Sequence, residues 1–300
     1  MKVLLLSGGS SNERDVSLRS ASSVRGALLE LGHQVVDYDP ANGLAATAGF
    51  AGKVDVALPI LHGAGGEDGS VQAVLEKAGI TYLGADAQVS ALCFDKNRFK
   101  MAAGRFGLRI PRGELVNKTS FEASALRLKP YVLKPVSGGS SIDTFIIREP
   151  GRQTEPGAVF ERHSQMLIEE LIEGIEVTVP ILGDQALPVI EIIPPPGGEF
   201  DYENKYNGAT QELCPPRNVS ATDQRVAQKA AEKIHRGLGV RHLSRTDMIL
   251  DENGELVVLE LNTIPGMTAE SLYPKAARAA GLDMTRLIDR FLKLIAPARR

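Results

Sequence analysis

The chain has 300 residues, 43% of them hydrophobic and 24% charged; this is too apolar for a disordered segment and long enough for two or three lobes packed around a cleft. Its 34 basic and 37 acidic side chains leave a net charge of −3, so no overall basic field attracts a polyanion, and nucleic acid is not expected as the main partner. Cys93 and Cys214 are too far apart in sequence for a disulfide framework or a clustered zinc site, and the short apolar run of MKVLLLSGG breaks at glycines, so a soluble, unprocessed cytoplasmic protein without membrane contact is expected.

Residues 3–6 form an unbroken apolar run that meets Ser7-Gly8-Gly9-Ser10-Ser11, and residues 16–31 then carry apolar side chains at helical spacing up to Gly32. This reads as strand, loop and helix. Residues 35–38, 54–61 and 71–78 continue the alternation of buried strand and helix that belongs to a parallel sheet covered by helices, and this first lobe closes near Ser90. Residues 96–106 are helical in pattern and end before Pro111, while 131–134 and 142–147 read as strands joined by the glycine-rich hairpin Ser137-Gly138-Gly139-Ser140. A strand is expected at 166–172. Two more, at 177–182 and 187–193, lead into a polar stretch rich in Pro, Gly, Tyr and Asn that runs to Pro216, and its length suggests a functional loop. A helix at 224–238, a hairpin turning at Asp251-Glu252-Asn253-Gly254, and an amphipathic helix at 282–295 complete the chain.

The hairpin SRTDMILDENGELVVLELN gives the sharpest local reading. A four-residue turn pairs Leu250 with Glu255, Asp247 with Val258 and Arg245 with Glu260. Strand alternation then puts Arg245, Asp247, Glu260 and Asn262 on one face, with Thr246, Met248, Val257, Leu259 and Leu261 on the other. Converging carboxylates and an amide suit a hard cation such as Mg2+ alongside phosphate, although a solvated face with an ordinary salt bridge has the same pattern. Lys134 followed by Ser137-Gly138-Gly139-Ser140-Ser141 suits a phosphate, because small residues let backbone N–H groups approach an anion; a merely flexible turn looks alike. The order of residues is not that of a P-loop. In His62-Gly63-Ala64-Gly65-Gly66-Glu67-Asp68-Gly69, helix capping is a complete account of Glu67 and Asp68, and Glu13 reads either as a helix-start carboxylate or as a ligand group beyond a strand end. Neither loop is a G-x-G-x-x-G fingerprint, which argues against a nicotinamide oxidoreductase.

Taken in order, GGSSNERDVSL, HGAGGEDGSVQAVLE, SALCFDKNRFK, LKPVSGGSS, EELIEGIE, DYENKYNGATQELCP and LELNTIPGMTAESLYPKAA resemble the D-alanine:D-alanine ligase family of the ATP-grasp superfamily over nearly the whole chain. The resemblance implies an α/β, three-lobed ATP-grasp architecture with an N-terminal parallel-sheet lobe. Residues 1–91 would form the substrate-binding lobe, 92–171 the central lobe with the phosphate loop, and 172–300 the C-terminal lobe with the metal site. It also implies ligation of two D-alanines through an acyl phosphate, for peptidoglycan precursor synthesis, by a homodimer. By motif, Lys96, Lys134 and Ser141 would hold ATP phosphates, Glu169, Leu171 and Ile172 the adenine, and Glu176 the ribose. Asp247, Glu260 and Asn262 would bind two Mg2+ ions, with Mn2+ a substitute. Glu13, with His62 nearby, would take the ammonium of the first D-alanine, while Arg245 and the Gly266 N–H take its reacting carboxyl group. Lys205, Ser271 and the Leu272 N–H would hold the second carboxylate, and Ser140 and Tyr206 would join Glu13 in a triad that closes the long loop.

The sequence departs from the family at SSIDTF, where Asp143 replaces a usual glycine, and between Asn117 and Tyr131, which is short and reads as a trimmed surface helix. Two rivals differ in kind: a related ligase with another second substrate, such as D-lactate or a different amino acid, and a nucleotide-binding regulator without catalysis. The second would have to retain both phosphate lysines and the metal-type carboxylates without using them.

Overall fold

The computed structural model describes residues 1–151, 156–195 and 209–295; the expected site residues Lys205 and Tyr206 lie outside them. Strand β1 (Lys2–Leu6) runs between β2 (Gln34–Tyr38) and β3 (Val56–Pro59) in a parallel sheet. Helix α1 (Arg14–Glu30) covers one face and α2 (Ser70–Lys77) the other. With both faces covered, β1 has no polar side to show: Val3 and Leu5 pack on Val24 and Leu28 of α1, and Leu4 and Leu6 pack with Val71 and Leu75 of α2.

Helices α3 (Ala87–Phe94) and α4 (Lys96–Gly104) follow, each started by an aspartate, Asp86 or Asp95, whose carboxylate accepts a backbone N–H of the first turn. The sequence pattern missed α3, which the division expected at 91/92 cuts. Cys93, Phe99 and Ala103 pack into the core of the C-terminal sheet, so both helices serve that lobe although they precede the central one in sequence. Next come β4 (Gly113–Val116), α5 (Lys118–Ala123), β5 (Tyr131–Pro135), β6 (Phe145–Ile147) and β7 (Met166–Glu170), whose strands form a sheet of order β4-β7-β5-β6. Helix α5 is the short surface helix, closed by a capping box between Asn117 and Ser120. Alternation in β5 sends Tyr131 and Leu133 into the core with Met166 and Ile168. It sends Val132 and Lys134 the other way, with Glu169 as Cα partner of Val132. Strand β6 is shorter than the sequence suggested, because residues 142–144 belong to the turn.

The C-terminal lobe contains β8 (Gly174–Leu182), β9 (Gln185–Ala186), β10 (Ile190–Ile193), β11 (Gln211–Leu213), α6 (Ala221–Gly237), β12 (Leu243–Asp251) and β13 (Leu256–Asn262). Its sheet has the order β11-β10-β8-β12-β13, with β9 paired to β8. Ala227, Ala231 and Ile234 of α6 cover one face. The last helices, α7 (Leu272–Ala279) and α8 (Met284–Ile295), insert Tyr273 and Phe291 between this lobe and the first, in one core with Val3, Leu28 and Ile190. Among the described residues no helix is long and apolar enough to cross a membrane.

The β12–β13 hairpin corrects the expected register. Leu250 pairs with Leu256 and Met248 with Val258, and after a bulge Asp247 pairs with Glu260 and Arg245 with Asn262. The turn is one residue tighter than expected, since Asp251 N–H bonds to the Glu255 carbonyl at 2.9 Å. The residue left over on β13 is Leu259, which turns with Ile249 toward the cleft and not toward the core. The four polar residues still share a face, because the bulge lies between them and the turn.

The shared core predicts a stability effect. Phe291 is fully buried, with its ring 5.9 Å from that of Tyr273. Phe291→Ala should cost about 3–5 kcal/mol by loss of burial and cavity formation. Urea denaturation followed by circular dichroism measures this, and a loss below about 1 kcal/mol would show that the two lobes do not depend on this core.

Candidate active site

Two adjoining cavities open where the lobes meet. The first, about 610 Å3, lies between the central and C-terminal sheets and is walled by Lys134, Glu169, Leu171, Ile172, Glu176 and Leu259. The second, about 680 Å3, lies where all three lobes converge and is walled by Glu13, His62, Arg245, Asn262, Gly266 and Ser271. Ser140 and Glu260 border both. The described residues expected from the sequence are therefore gathered along one continuous cleft.

The loop from β5 to β6 forms the seam between the cavities. Gly138, Ser140, Ser141 and Asp143 all have positive φ, at 130°, 53°, 57° and 55°, a costly conformation for the three non-glycine residues. Side chains hold it in place. Ser140 donates its hydroxyl to Glu13 Oε1 at 2.5 Å, across from the first lobe. Lys96 Nζ donates to the Gly138 carbonyl at 2.6 Å. Asp143, the unexpected carboxylate, bonds Arg162 Nη2 at 2.6 Å and His163 Nε2 at 2.7 Å, so it ties the loop to the segment before β7. Arg162 first and then His163 hold the Asp143 carboxyl below its ordinary range.

Glu13 precedes α1 but caps nothing with its side chain. Its carboxylate lies between two glycines: a Cβ on Gly139 would come within 2.7 Å of Glu13 Oε2, and one on Gly63 within 2.8 Å. A side chain at either position would displace the Glu13 carboxylate, and Gly63 also has a positive φ of 70°. Asp68 acts as the capping account says, accepting from Ser70 N–H at 2.9 Å. Glu67 does not cap the helix, contrary to the capping account, since the N–H that it takes belongs to the loop before α2. It accepts Gly63 N–H at 2.7 Å, yet burial and then the Glu13 charge push its carboxyl up to about 8.

His62 is buried, and its Nδ1 lies 3.1 Å from the Ile264 carbonyl. Nδ1 must therefore carry the hydrogen, and Nε2 accepts from the Ser20 hydroxyl at 3.4 Å. Ser20 Oγ in turn accepts Met267 N–H at 3.1 Å. This relay clamps the backbone on both sides of Gly266 to the first lobe. Burial lowers the imidazole to about 4 against the pull of the Ile264 carbonyl, and the Arg245 charge adds to the lowering. A Cβ on Gly266 would meet Ser271 Oγ at 2.8 Å, so a side chain there would displace that hydroxyl.

On the hairpin face, Arg245 grips Asp247 with two nitrogens, Nε–Oδ1 at 2.9 Å and Nη2–Oδ2 at 2.7 Å. Thr178 Oγ1 at 2.5 Å and Asn262 Nδ2 at 3.1 Å complete the shell of that carboxylate. Burial opposes the guanidinium charge, but Asp247 and then Glu260 outweigh it and hold Arg245 charged. Among the described residues no group of three or more His, Cys, Asp or Glu is arranged to bind a metal. The oxygen set here is two carboxylates and the amide oxygen of Asn262, whose nitrogen is turned to Asp247. Such a set fits Mg2+ that takes its remaining ligands from phosphate and water.

Sequence reasoning missed three features of the cleft. Ile249 and Leu259 supply apolar wall to the first cavity, and Lys275 bonds Glu212 at 2.6 Å on the edge of the second. Lys100 lies behind the first cavity on Glu169; its spacing from Lys96 was the available signal.

Comparison with known proteins gives a family and a fold. The family models described as D-ala D-ala ligase N-terminus and C-terminus match residues 39–85 and 111–293. The D-alanine--D-alanine ligase of Syntrophobacter fumaroxidans is 43% identical over 98% of this chain and 97% of its own length. Among solved structures, the VanG D-Ala:D-Ser ligase from Enterococcus faecalis superposes with a TM-score of 0.83 at 29% identity, covering 99% of both chains. The D-alanine--D-alanine ligase from Bacillus anthracis complexed with ATP gives 0.83 at 30% identity, over 98% of this chain and 97% of that one.

The raised Glu67 carboxyl sets a pH dependence. Between its ordinary value of 4.5 and about 8, the folded protein keeps a proton that the unfolded chain has released, so stability falls as pH rises through that window. Melting temperatures of the empty protein measured from about pH 6 to 9 should fall more steeply for wild type than for Glu67→Gln. Parallel curves would show that Glu67 is not held protonated.

Proposed function

The chain belongs to the D-ala D-ala ligase family, enzymes that join two D-alanines at the expense of ATP, and we propose that the residues of the cleft carry that reaction through an acyl phosphate. The observation that carries this reading is the junction of the cavities. Glu260 and Ser140 border both, so a nucleotide in the first would end its phosphate chain where an amino acid in the second presents its carboxylate.

In this reading ATP lies in the first cavity, with its adenine against Leu171, Ile172 and Leu259, its ribose at Glu176 and its phosphates at Lys96, Lys134 and the Ser140-Ser141 turn. Burial pulls the Lys96 ammonium down, but the Glu260 charge sustains it. Asp247, Glu260 and Asn262 would hold two Mg2+ ions, which offset phosphate charge when bound. The first D-alanine places its ammonium at Glu13, beside the neutral His62, and its carboxylate at Arg245 and the Gly266 N–H. A carboxylate oxygen attacks the γ-phosphorus and ADP leaves. The second D-alanine, held at Ser271 and the Leu272 N–H, gives up one ammonium proton to solvent and attacks the acyl carbon as the free amine; the carbon–oxygen bond to the phosphate then breaks, and the leaving phosphate takes the second amine proton. Arg245 and the Gly266 N–H face the oxyanion that develops on that carbon. The His62–Ser20 relay fixes the backbone that offers the N–H. Lys205 and Tyr206 have their place in the scheme by motif alone, on the second carboxylate and in the triad with Glu13 and Ser140. From the same membership we infer a homodimer in the cytoplasm, serving peptidoglycan precursor synthesis, with Mn2+ able to replace Mg2+.

Phosphate release from ATP, measured with D- and L-amino acids and D-lactate in turn, tests the assignment. D-alanine alone should stimulate release and give dipeptide. Stimulation by another compound and not by D-alanine would move the chain to a related substrate. Glu260→Gln should lower kcat by about a hundredfold or more while the circular dichroism spectrum is unchanged, since it removes a charge from the junction. Retention of more than about half the activity at saturating Mg2+ would rule out the metal role.

A further inference from the structure

Lys96, Phe99, Lys100 and Ala103 make the buried stripe of α4. Phe99 and Ala103 enter the C-terminal core, whereas Lys100 reaches the central sheet and bonds Glu169 Oε1. The other oxygen of that carboxylate, Oε2, lies 2.8 Å from Lys134 Nζ. All three side chains are withdrawn from water, at 5%, 3% and 11% exposure for Lys100, Glu169 and Lys134. Lys134 and Glu169 line the first cavity; Lys100 stands behind the wall, on the far oxygen of Glu169. Burial and then Lys134 pull the Lys100 ammonium down to about 7, against Glu169. The carboxylate, for its part, is kept ionised by Lys134 and Lys100 in spite of burial.

One carboxylate with two ammonium groups is more than a structural pair needs. A buried carboxylate with a single cation cannot release it, because the charge left behind would be uncompensated. With two cations, one can turn to an incoming anion while the other stays. We propose that Lys100 is a positioning residue for nucleotide binding: it retains the Glu169 carboxylate and so frees Lys134 for the phosphates. The proposal rests on the reading of the first cavity as the ATP site.

The test is calorimetric binding of ADP and of a non-hydrolysable ATP analogue with Mg2+ and no amino acid, so it is independent of which amino acid the enzyme joins. Lys100→Met should raise Kd by about tenfold or more, because Lys134 stays locked on Glu169. In a Glu169→Gln background no carboxylate needs a partner, and the same Lys100→Met change should alter Kd by less than about twofold. A purely structural Lys100 would lower the melting temperature and leave Kd within about twofold of wild type, and that result would overturn the proposal. An equal loss of affinity in both backgrounds would overturn it too. Should Lys100→Met not fold, Lys100→Arg keeps the charge and should bind nucleotide like wild type; a folded arginine variant with a tenfold loss would contradict the mechanism. Failure of the wild type to bind either nucleotide would remove the ATP reading itself, and the proposal with it.

Discussion

Glu169 lies almost wholly out of water with an ammonium on each of its oxygens, and the rest of the cleft repeats the same constraint. Charge buried where lobes meet is tolerable only when it is paired, and a pair that includes a potential ligand for substrate can be exchanged for substrate. Asp247 is held by Arg245, Thr178 and Asn262. Glu13 is held by Ser140, and Glu67 meets its burial beside Glu13 by staying protonated up to about 8. The carboxylates Glu169, Asp247, Glu13 and Glu67 thus each have a partner within the cleft. Binding of ATP and a zwitterionic amino acid exchanges some of those partners and avoids opening bare charges to a dry interior.

The network also joins the lobes. Glu13 belongs to the first lobe and Ser140 to the central one, and their bond spans 127 positions of sequence. His62 and Ser20 of the first lobe grip the backbone at Ile264 and Met267 of the third. Beneath these polar contacts, Tyr273 and Phe291 lock the first and third lobes through a common apolar core. The central lobe has its own separate core around Tyr131 and Ile168. It meets its neighbours at the cleft through the Ser140–Glu13, Lys96–Gly138 and Lys100–Glu169 contacts and a backbone bond from Lys96 N–H to the Val136 carbonyl.

Much of this was legible in the sequence, for physical reasons that also explain the failures. The run at β1 was readable because a two-sided parallel strand has no polar face to confuse it. The polar face of the last hairpin was readable by alternation, but its register was not. A tighter turn and the extra residue Leu259 each shift the pairing, and alternation cannot register a bulge. Lys100 received no reading, because its spacing from Lys96 places it on the same helix face but does not say that a strand 69 positions away brings a carboxylate to it. Glu67 looked like a cap and does accept a loop N–H; its second character comes from the neighbouring Glu13, which only the fold supplies. The adenine and ribose assignments come from the family pattern, whereas the metal-type face was also suggested by strand alternation in the hairpin.

The central claim is that the substrate carboxylate placed at Arg245 and the Gly266 N–H attacks the γ-phosphate of ATP at the junction of the cavities. It makes a definite statement about one oxygen atom. If D-alanine carrying 18O in both carboxylate positions is supplied with unlabelled ATP in ordinary water, the attacking oxygen must leave with the phosphate. Mass spectrometry of the products should find one 18O in each inorganic phosphate, with the other retained in the peptide carbonyl. Unlabelled phosphate accompanying labelled dipeptide would contradict the account, because ATP would then be cleaved without a bond between substrate oxygen and phosphorus.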